Sequence, residues 1–236
     1  MSVDQPVDGD GRQDVRVDSQ IDRCKDGCKD GCKADHRDLS GDGWVRRATV
    51  IVLANHKGGV TKTTSTANLG AMLAERGRLV LIVDCDPQAN LSETFGWTEE
   101  VVGERLEDLL AHPLTGGAYR PPVALIADIR PVPAWRERLR IIACTDALAD
   151  VAADLPNRVG DGYERRLREV VDAHRTGFDF IFLDTPPGLG SLSGMALLAA
   201  DWLLIPALAA DLDVRGAGKL YDLVEAEVPG LRLLGC

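Results

Sequence analysis

The sequence predicts an α/β fold: a mostly parallel, twisted sheet with helices on both faces. Three observations carry this. Several short runs, at 49–54, 79–83, 180–183 and 202–206, are almost wholly apolar and rich in Val, Ile and Leu. Strands buried on both faces read this way, whereas half-exposed strands alternate with polar residues. Between the runs lie segments whose apolar residues recur at helical spacing. Finally, the first run leads straight into a glycine-rich turn and then a helix-like segment, the joint expected where a strand crosses over to its parallel neighbour.

Taken in order, the strand at 49–54 is followed by Lys57-Gly58-Gly59-Val60-Thr61-Lys62-Thr63-Thr64. A helix over about 62–76 shows an apolar face of Ala67, Leu69, Ala71, Met72 and Leu73, and Gly77 stands where a C-terminal cap belongs. The second strand, 79–84, ends in Asp84-Cys85-Asp86-Pro87-Gln88-Ala89-Asn90. A helix near 100–110 carries Val101, Leu106, Leu109 and Leu110. Five prolines between 111 and 137 predict mostly loop. A short strand at 139–144 follows. Tyr163, Leu167, Val170, Val171 and His174 then share one helical face. The strand at 178–183 ends at Asp184, and Thr185-Pro186-Pro187-Gly188 makes a stiff loop. A strand at 202–206, a helix at about 215–227 and a last strand at 231–235 complete the series.

Three of these junctions carry chemistry. In the first, glycines allow successive backbone N–H groups to turn toward a polyphosphate, and the helix start adds unpaired donors and a positive dipole end. Lys62 supplies a point charge for the β- and γ-phosphates, and the Thr63 hydroxyl can ligate Mg²⁺. In the second, Asp86 lies 24 residues after Lys62, room for one helix and one strand. Both strand ends then open on the same carboxyl edge of the sheet, where a carboxylate can orient an attacking water. Asp84 can equally well cap a turn. In the third, a lone acid ending an apolar strand, Asp184, can hold Mg²⁺ through water.

The pattern KGGxxK[ST], with Lys57 ahead of the glycines and Thr61 where glycine is usual, is the deviant Walker A motif. Together with DxDPQxN at 84–90 and the Walker B-like strand ending at Asp184, it resembles the ParA/Soj group of P-loop ATPases over roughly 48–236. The resemblance implies a P-loop nucleoside-triphosphatase fold of the deviant Walker type and an ATPase with ATP and Mg²⁺ as cofactors, working in plasmid or chromosome partition. It implies a homodimer formed on ATP binding, in which Lys57 reaches the partner's nucleotide. Residues 57–64 and Pro187 would line the nucleotide, Lys57, Lys62 and Asp86 would serve hydrolysis, and Thr63 and Asp184 the metal. It also implies a centromere-binding, ParB-like partner and nonspecific DNA binding. His56 is expected to contribute only its backbone. If the turn needs positive φ at residue 61, Thr61 strains it by about 1–3 kcal/mol.

Composition narrows the field. The chain has 236 residues, enough for one ordinary domain and a tail. Residues 1–46 hold 11 Asp and 8 Lys or Arg with few large apolar side chains. They are expected to be a disordered tail, and 47–236 the ATPase domain. A net charge of −10 does not point to a strongly basic nucleic-acid binder. No apolar stretch reaches the ~18 residues of a membrane span, and no signal pattern opens the chain, so no membrane partner is expected and a cytoplasmic location is. Cys24, Cys28, Cys32 and His36 form a C-x₃-C-x₃-C-x₃-H repeat that matches no zinc-ribbon spacing and is better explained as a short duplication, with metal binding as the other reading. Family members extend some tens of residues past the last strand here, so a shortened domain with an uncovered sheet edge is expected. Two alternatives remain: a non-catalytic nucleotide-binding remnant, or another deviant-Walker class. A MinD-like membrane cycler should end in a basic amphipathic helix, and a metal-cluster carrier should show C-x-x-C in its nucleotide domain.

Overall fold

A computed structural model describes residues 47–98, 104–111, 124–125, 137–207 and 211–236. The expected tail at 1–46, its cysteine repeat and most of the expected loop at 111–137 lie outside these.

Among the described residues seven strands form one sheet: β1 (Thr49–Leu53), β2 (Val80–Asp84), β3 (Ala124–Leu125), β4 (Leu139–Ile142), β5 (Phe180–Asp184), β6 (Trp202–Leu204) and β7 (Arg232–Gly235). Their order across the sheet is β3-β4-β2-β5-β1-β6-β7. Every pairing is parallel except the two-residue β3 against β4, so the sequence-based expectation holds. The helices are α1 (Lys62–Glu75), α2 (Asn90–Thr94), α3 (Leu106–Ala111), α4 (Ala147–Val159), α5 (Arg166–His174), α6 (Ser191–Ala199) and α7 (Asp211–Glu227). A 3₁₀ turn, Tyr163–Arg165, leads into α5. Helices α2 and α4 had no counterpart in the sequence reading. α4 carries a proline, Pro156, in its last turn, which masks an apolar stripe of Leu148, Ala152 and Leu155. α2 is a single short helix directly after the DxDPQ segment.

Alternation along the strands sorts side chains to two faces. Val50, Val52, Leu81, Val83, Ile181 and Leu183 pack with Leu148, Leu155, Leu167, Val170, Met195 and Leu220. Ile51, Leu53, Val80, Ile82, Leu139, Ile141 and Phe182 pack with α1 and α2 through Ala74, Leu91 and Phe95. Burying this aliphatic surface contributes about 25 cal/mol per Å². α1 approaches the sheet closely at Gly70, where an added methyl would stand 3.2 Å from Ile82. At the β7 edge Leu233 and Leu234 are 39% and 52% exposed. None of the described helices is long and apolar enough to cross a membrane.

The amino end of the sheet is locked by Arg175. Its guanidinium grips Asp201 through Nη1 (2.7 Å) and Nη2 (3.1 Å), and also donates to Asp172 at 2.6 Å and to the Ala48 carbonyl at 3.2 Å. Asp201 in turn accepts the Val50 N–H at 2.9 Å. One buried cation thereby ties the C-terminus of α5 to the starts of β1 and β6.

Candidate functional site

Sheet order puts the chemistry at one edge. β1 lies between β5 and β6, and the chain leaves it for β2 on the far side of β5, so the crevice at the carboxyl ends opens beside β1. Register fixes depth: Leu53 pairs with Asp184, and Asp184 pairs with Asp84. The last residue of β1 and both strand-ending acids therefore stand in one row.

Above that row runs the glycine turn. Gly59 has φ +73°, a conformation that side chains with Cβ adopt at a cost. Thr61 has φ +61° and ψ +22° at the start of α1. The turn does need positive φ there, and a β-branched residue carries it. Lys62 is only 7% exposed. Its Nζ donates to the Lys57 carbonyl at 3.4 Å, so it curls back under the turn. Burial pulls its pKa below the usual lysine value, while Asp184 and Asp86 act in the opposite sense. Lys57, His56, Gly58 and Thr61 are exposed, Thr63 is half-buried and Val60 is buried. The stiff loop after β5 docks on the turn. Gly188 donates its N–H to the His56 carbonyl at 3.1 Å. The Thr185 hydroxyl donates to the Leu53 carbonyl at 2.7 Å. Pro187 stands over Gly58, 3.7 Å from where a methyl on that glycine would be.

Asp184 is fully buried, and its Oδ1 accepts the Thr66 hydroxyl at 3.2 Å. Its Oδ2 is buried without a hydrogen-bond partner. Burial raises its pKa to about 7, opposed by hydrogen bonding from Thr63 and Thr66 and assisted by the negative charges of Asp84 and Asp86. Such an orphaned oxygen beside a hydroxyl suits a hydrated Mg²⁺, which takes few protein ligands and keeps several waters. Thr63 and Asp184 therefore fit the metal role given them. Asp86 is 8% exposed, and its Oδ1 accepts the Gln88 N–H at 3.0 Å. Asp84 has a different part. It accepts the Ser92 N–H (2.8 Å), the Ser92 hydroxyl (2.7 Å) and the Asp86 N–H (3.2 Å). It caps the turn into α2, and burial lifts its pKa to about 6.

Folded-state pKa values above the ordinary carboxylate value mean that the folded chain holds more protons than the unfolded one from about pH 4 to pH 7. The contribution of these two acids is complete below that window and lost as pH rises through it. Asp184→Asn removes the largest part. Its stability relative to the wild type should rise from pH 5 to pH 8 by about 2 kcal/mol. Urea melts at the two pH values check this, and a pH-independent difference would contradict it.

The site includes residues that the sequence reading did not single out. Asn55 is 2% exposed, donates to the Pro206 carbonyl at 2.8 Å and accepts the Lys57 N–H at 3.0 Å. It ties the turn to the end of β6, and its only signal is an amide closing an apolar run. Thr66 sits one turn into α1, facing Asp184. A cavity of 540 Å³ opens beside the turn, between Thr61, Thr64 and Leu69 on one side and Leu204, at the end of β6, and Pro206 on the other.

Known proteins resemble this chain. Residues 48–228 match the AAA domain family. The chain is similar to the chromosome partitioning protein ParA of Myxococcus xanthus, 33% identical over 194 residues, covering 80% of this chain and 62% of that one. It is 35% identical over 195 residues to the chromosome-partitioning ATPase Soj of Thermus thermophilus, covering 78% of this chain and 66% of the relative. This chain thus spans a little under two thirds of the length of these curated relatives. A solved structure from Mycobacterium smegmatis, described as cobyrinic acid a,c-diamide synthase with bound ATP analog and magnesium, superimposes with a TM-score of 0.63. It is 30% identical, and the match covers 79% of this chain and 72% of that one. With the buried P-loop lysine, the strand-ending acids and the DxDPQ turn all in register, the chain belongs to the ParA/Soj family of AAA-domain proteins.

Proposed function

We propose that this chain is a partition-type ATPase whose 47–236 domain binds Mg·ATP and hydrolyses it slowly. The observation that carries the reading is Lys62, a nearly buried lysine held under a glycine turn beside Asp184 and Asp86 at the carboxyl end of β1. A lysine so placed has lost much of its hydration, and a polyphosphate restores a counter-charge to it.

Backbone N–H groups of residues 58–64 and the start of α1 bind phosphate oxygens. The apolar cavity beside Thr64 and Pro206 takes the base. Bound Mg²⁺, held by Thr63 and Asp184, would draw negative charge from the β- and γ-phosphates. Asp86 orients the attacking water and receives its proton. Lys57, exposed at the mouth of the turn, reaches the nucleotide of a second chain in a sandwich dimer. By likeness to its relatives the protein would work with a ParB-like centromere-binding partner, touch DNA nonspecifically and reside in the cytoplasm. This chain's acidity argues against strong DNA binding of its own.

Hydrolysis by the wild type and by Asp86→Asn tests this. The wild type should turn over Mg·ATP. The variant should still be stabilised by Mg·ATP but turn over about 10²-fold more slowly. An inactive wild type that ATP does not stabilise, or a variant as fast as the wild type, would overturn it.

A further inference from the structure

The turn that carries Asp86 is strained and depends on its surroundings. Ala89 has φ +53°, a left-handed conformation that costs a residue with Cβ about 1–2 kcal/mol. Strain of this kind persists only where neighbours over-determine the backbone. Here the neighbours form a closed ring. The Asp86 N–H donates to Asp84 Oδ1 at 3.2 Å, while Asp84 Oδ2 accepts the Ser92 hydroxyl at 2.7 Å and the Ser92 N–H at 2.8 Å. Ser92 Oγ accepts the Cys144 N–H at 3.2 Å. Cys144 Sγ–H then donates back to the Asp86 carbonyl at 3.1 Å, the same oxygen that accepts the Ala89 N–H at 2.8 Å.

The backbone places Cys144 for this. Val83 pairs with Ile142 in the parallel β2–β4 ladder, so residue 144 lies just past the end of β4, alongside the chain leaving β2. Cys144 and Ser92 are 0% and 1% exposed, so water does not compete for these bonds. Burial, together with the surrounding acids, keeps the thiol protonated, which makes it a donor and a poor nucleophile. The elements joined are the end of β4, the start of α2 and the Asp86 turn, and only the last touches the reacting groups.

We infer that Cys144, acting with Ser92, is a positioning residue that holds the Asp86 turn in its water-orienting conformation. The inference rests on the role proposed above for Asp86. It predicts that loss of the S–H donor loosens the turn and slows hydrolysis without weakening nucleotide binding.

Two measurements on the full chain test it, one of which does not need turnover. In the nucleotide-free protein, Cys144→Ala should raise amide exchange at Gln88 and Ala89 about fivefold, the factor for one hydrogen bond of ordinary strength. Exchange in β1 should be unchanged. Cys144→Ser, which restores a donor, should return exchange to near the wild-type rate. In steady state, Cys144→Ala should lower kcat by about 5–10-fold with KM for Mg·ATP within about twofold, and Cys144→Ser should recover most of it. If Cys144→Ala does not fold, Cys144→Val keeps an apolar side chain of similar size without the donor and takes its place. Unchanged exchange at the turn, or a serine variant as impaired as alanine, would overturn the inference. The exchange result stands even if the wild type proves not to hydrolyse ATP, and that outcome would instead count against the proposed function.

Discussion

Lys62→Ala is expected to abolish the stabilisation of this chain by Mg·ATP. Ligand at 100 times its dissociation constant adds about 2.7 kcal/mol, which for a domain of this size is roughly 5–10 °C in Tm. The wild type should show that rise and Lys62→Ala none at the same concentration. The reason lies in burial. Lys62 is held at 7% exposure beside two carboxylates, so its charge is directed at the crevice and little screened by water. A surface lysine such as Lys219 lacks this setting. The nucleotide-free variant should melt closer to the wild type than the ligand shift is large, because Asp184, its pKa already raised to about 7, can take up a proton when the cation is gone. Differential scanning fluorimetry with and without Mg·ATP checks both points. An equal rise in the two proteins would mean that the nucleotide binds elsewhere.

Arg175→Ala should be the most destabilising single change among those considered, at about 3–5 kcal/mol. The guanidinium is 7% exposed and makes a two-pronged contact with Asp201, with further bonds to Asp172 and to the Ala48 and Ala199 carbonyls. Truncation leaves Asp201 and two buried carbonyls without it. Asp201 also holds the Val50 N–H, so the damage falls on the first residues of β1, an interior strand of the sheet. Denaturant melts measure the loss. Because Arg175 lies at the end of the sheet away from Lys62, the Mg·ATP shift should survive in whatever fraction folds. A loss under 1 kcal/mol would show that the contact is replaceable by water. A double-mutant cycle with Asp201→Asn would separate the pair's coupling from the cost of an orphaned charge.

Much of the site was legible in the chain because its chemistry is local. Lys57 to Thr64 are contiguous, and the strand that precedes them and the helix that follows each declare themselves by pattern. Asp184 could be placed because it closes an apolar run and Asp86 because it follows the end of one by two residues, and parallel strands bring such ends to one edge. Other parts were legible only in three dimensions. Asp84 and Asp86 are two residues apart in one motif, and the sequence left the role of Asp84 open. The structure separates them, Asp84 turned to Ser92 and Asp86 to the crevice, because α2 begins in a place no periodicity marked. Asn55, Thr66 and Cys144 are ordinary residues in the chain, and their partners lie as far as 151 residues away. Arg175 looked like a helix-end charge until β1 and β6 closed around it. The sequence alone therefore determined the strand ends, the glycine turn and the acids. Tertiary structure decided which of those acids is a support, which faces the site, and what holds the turn in place. Hydrogen bonds across the sheet depend on register and burial, and neither is written in the spacing of residues along the chain.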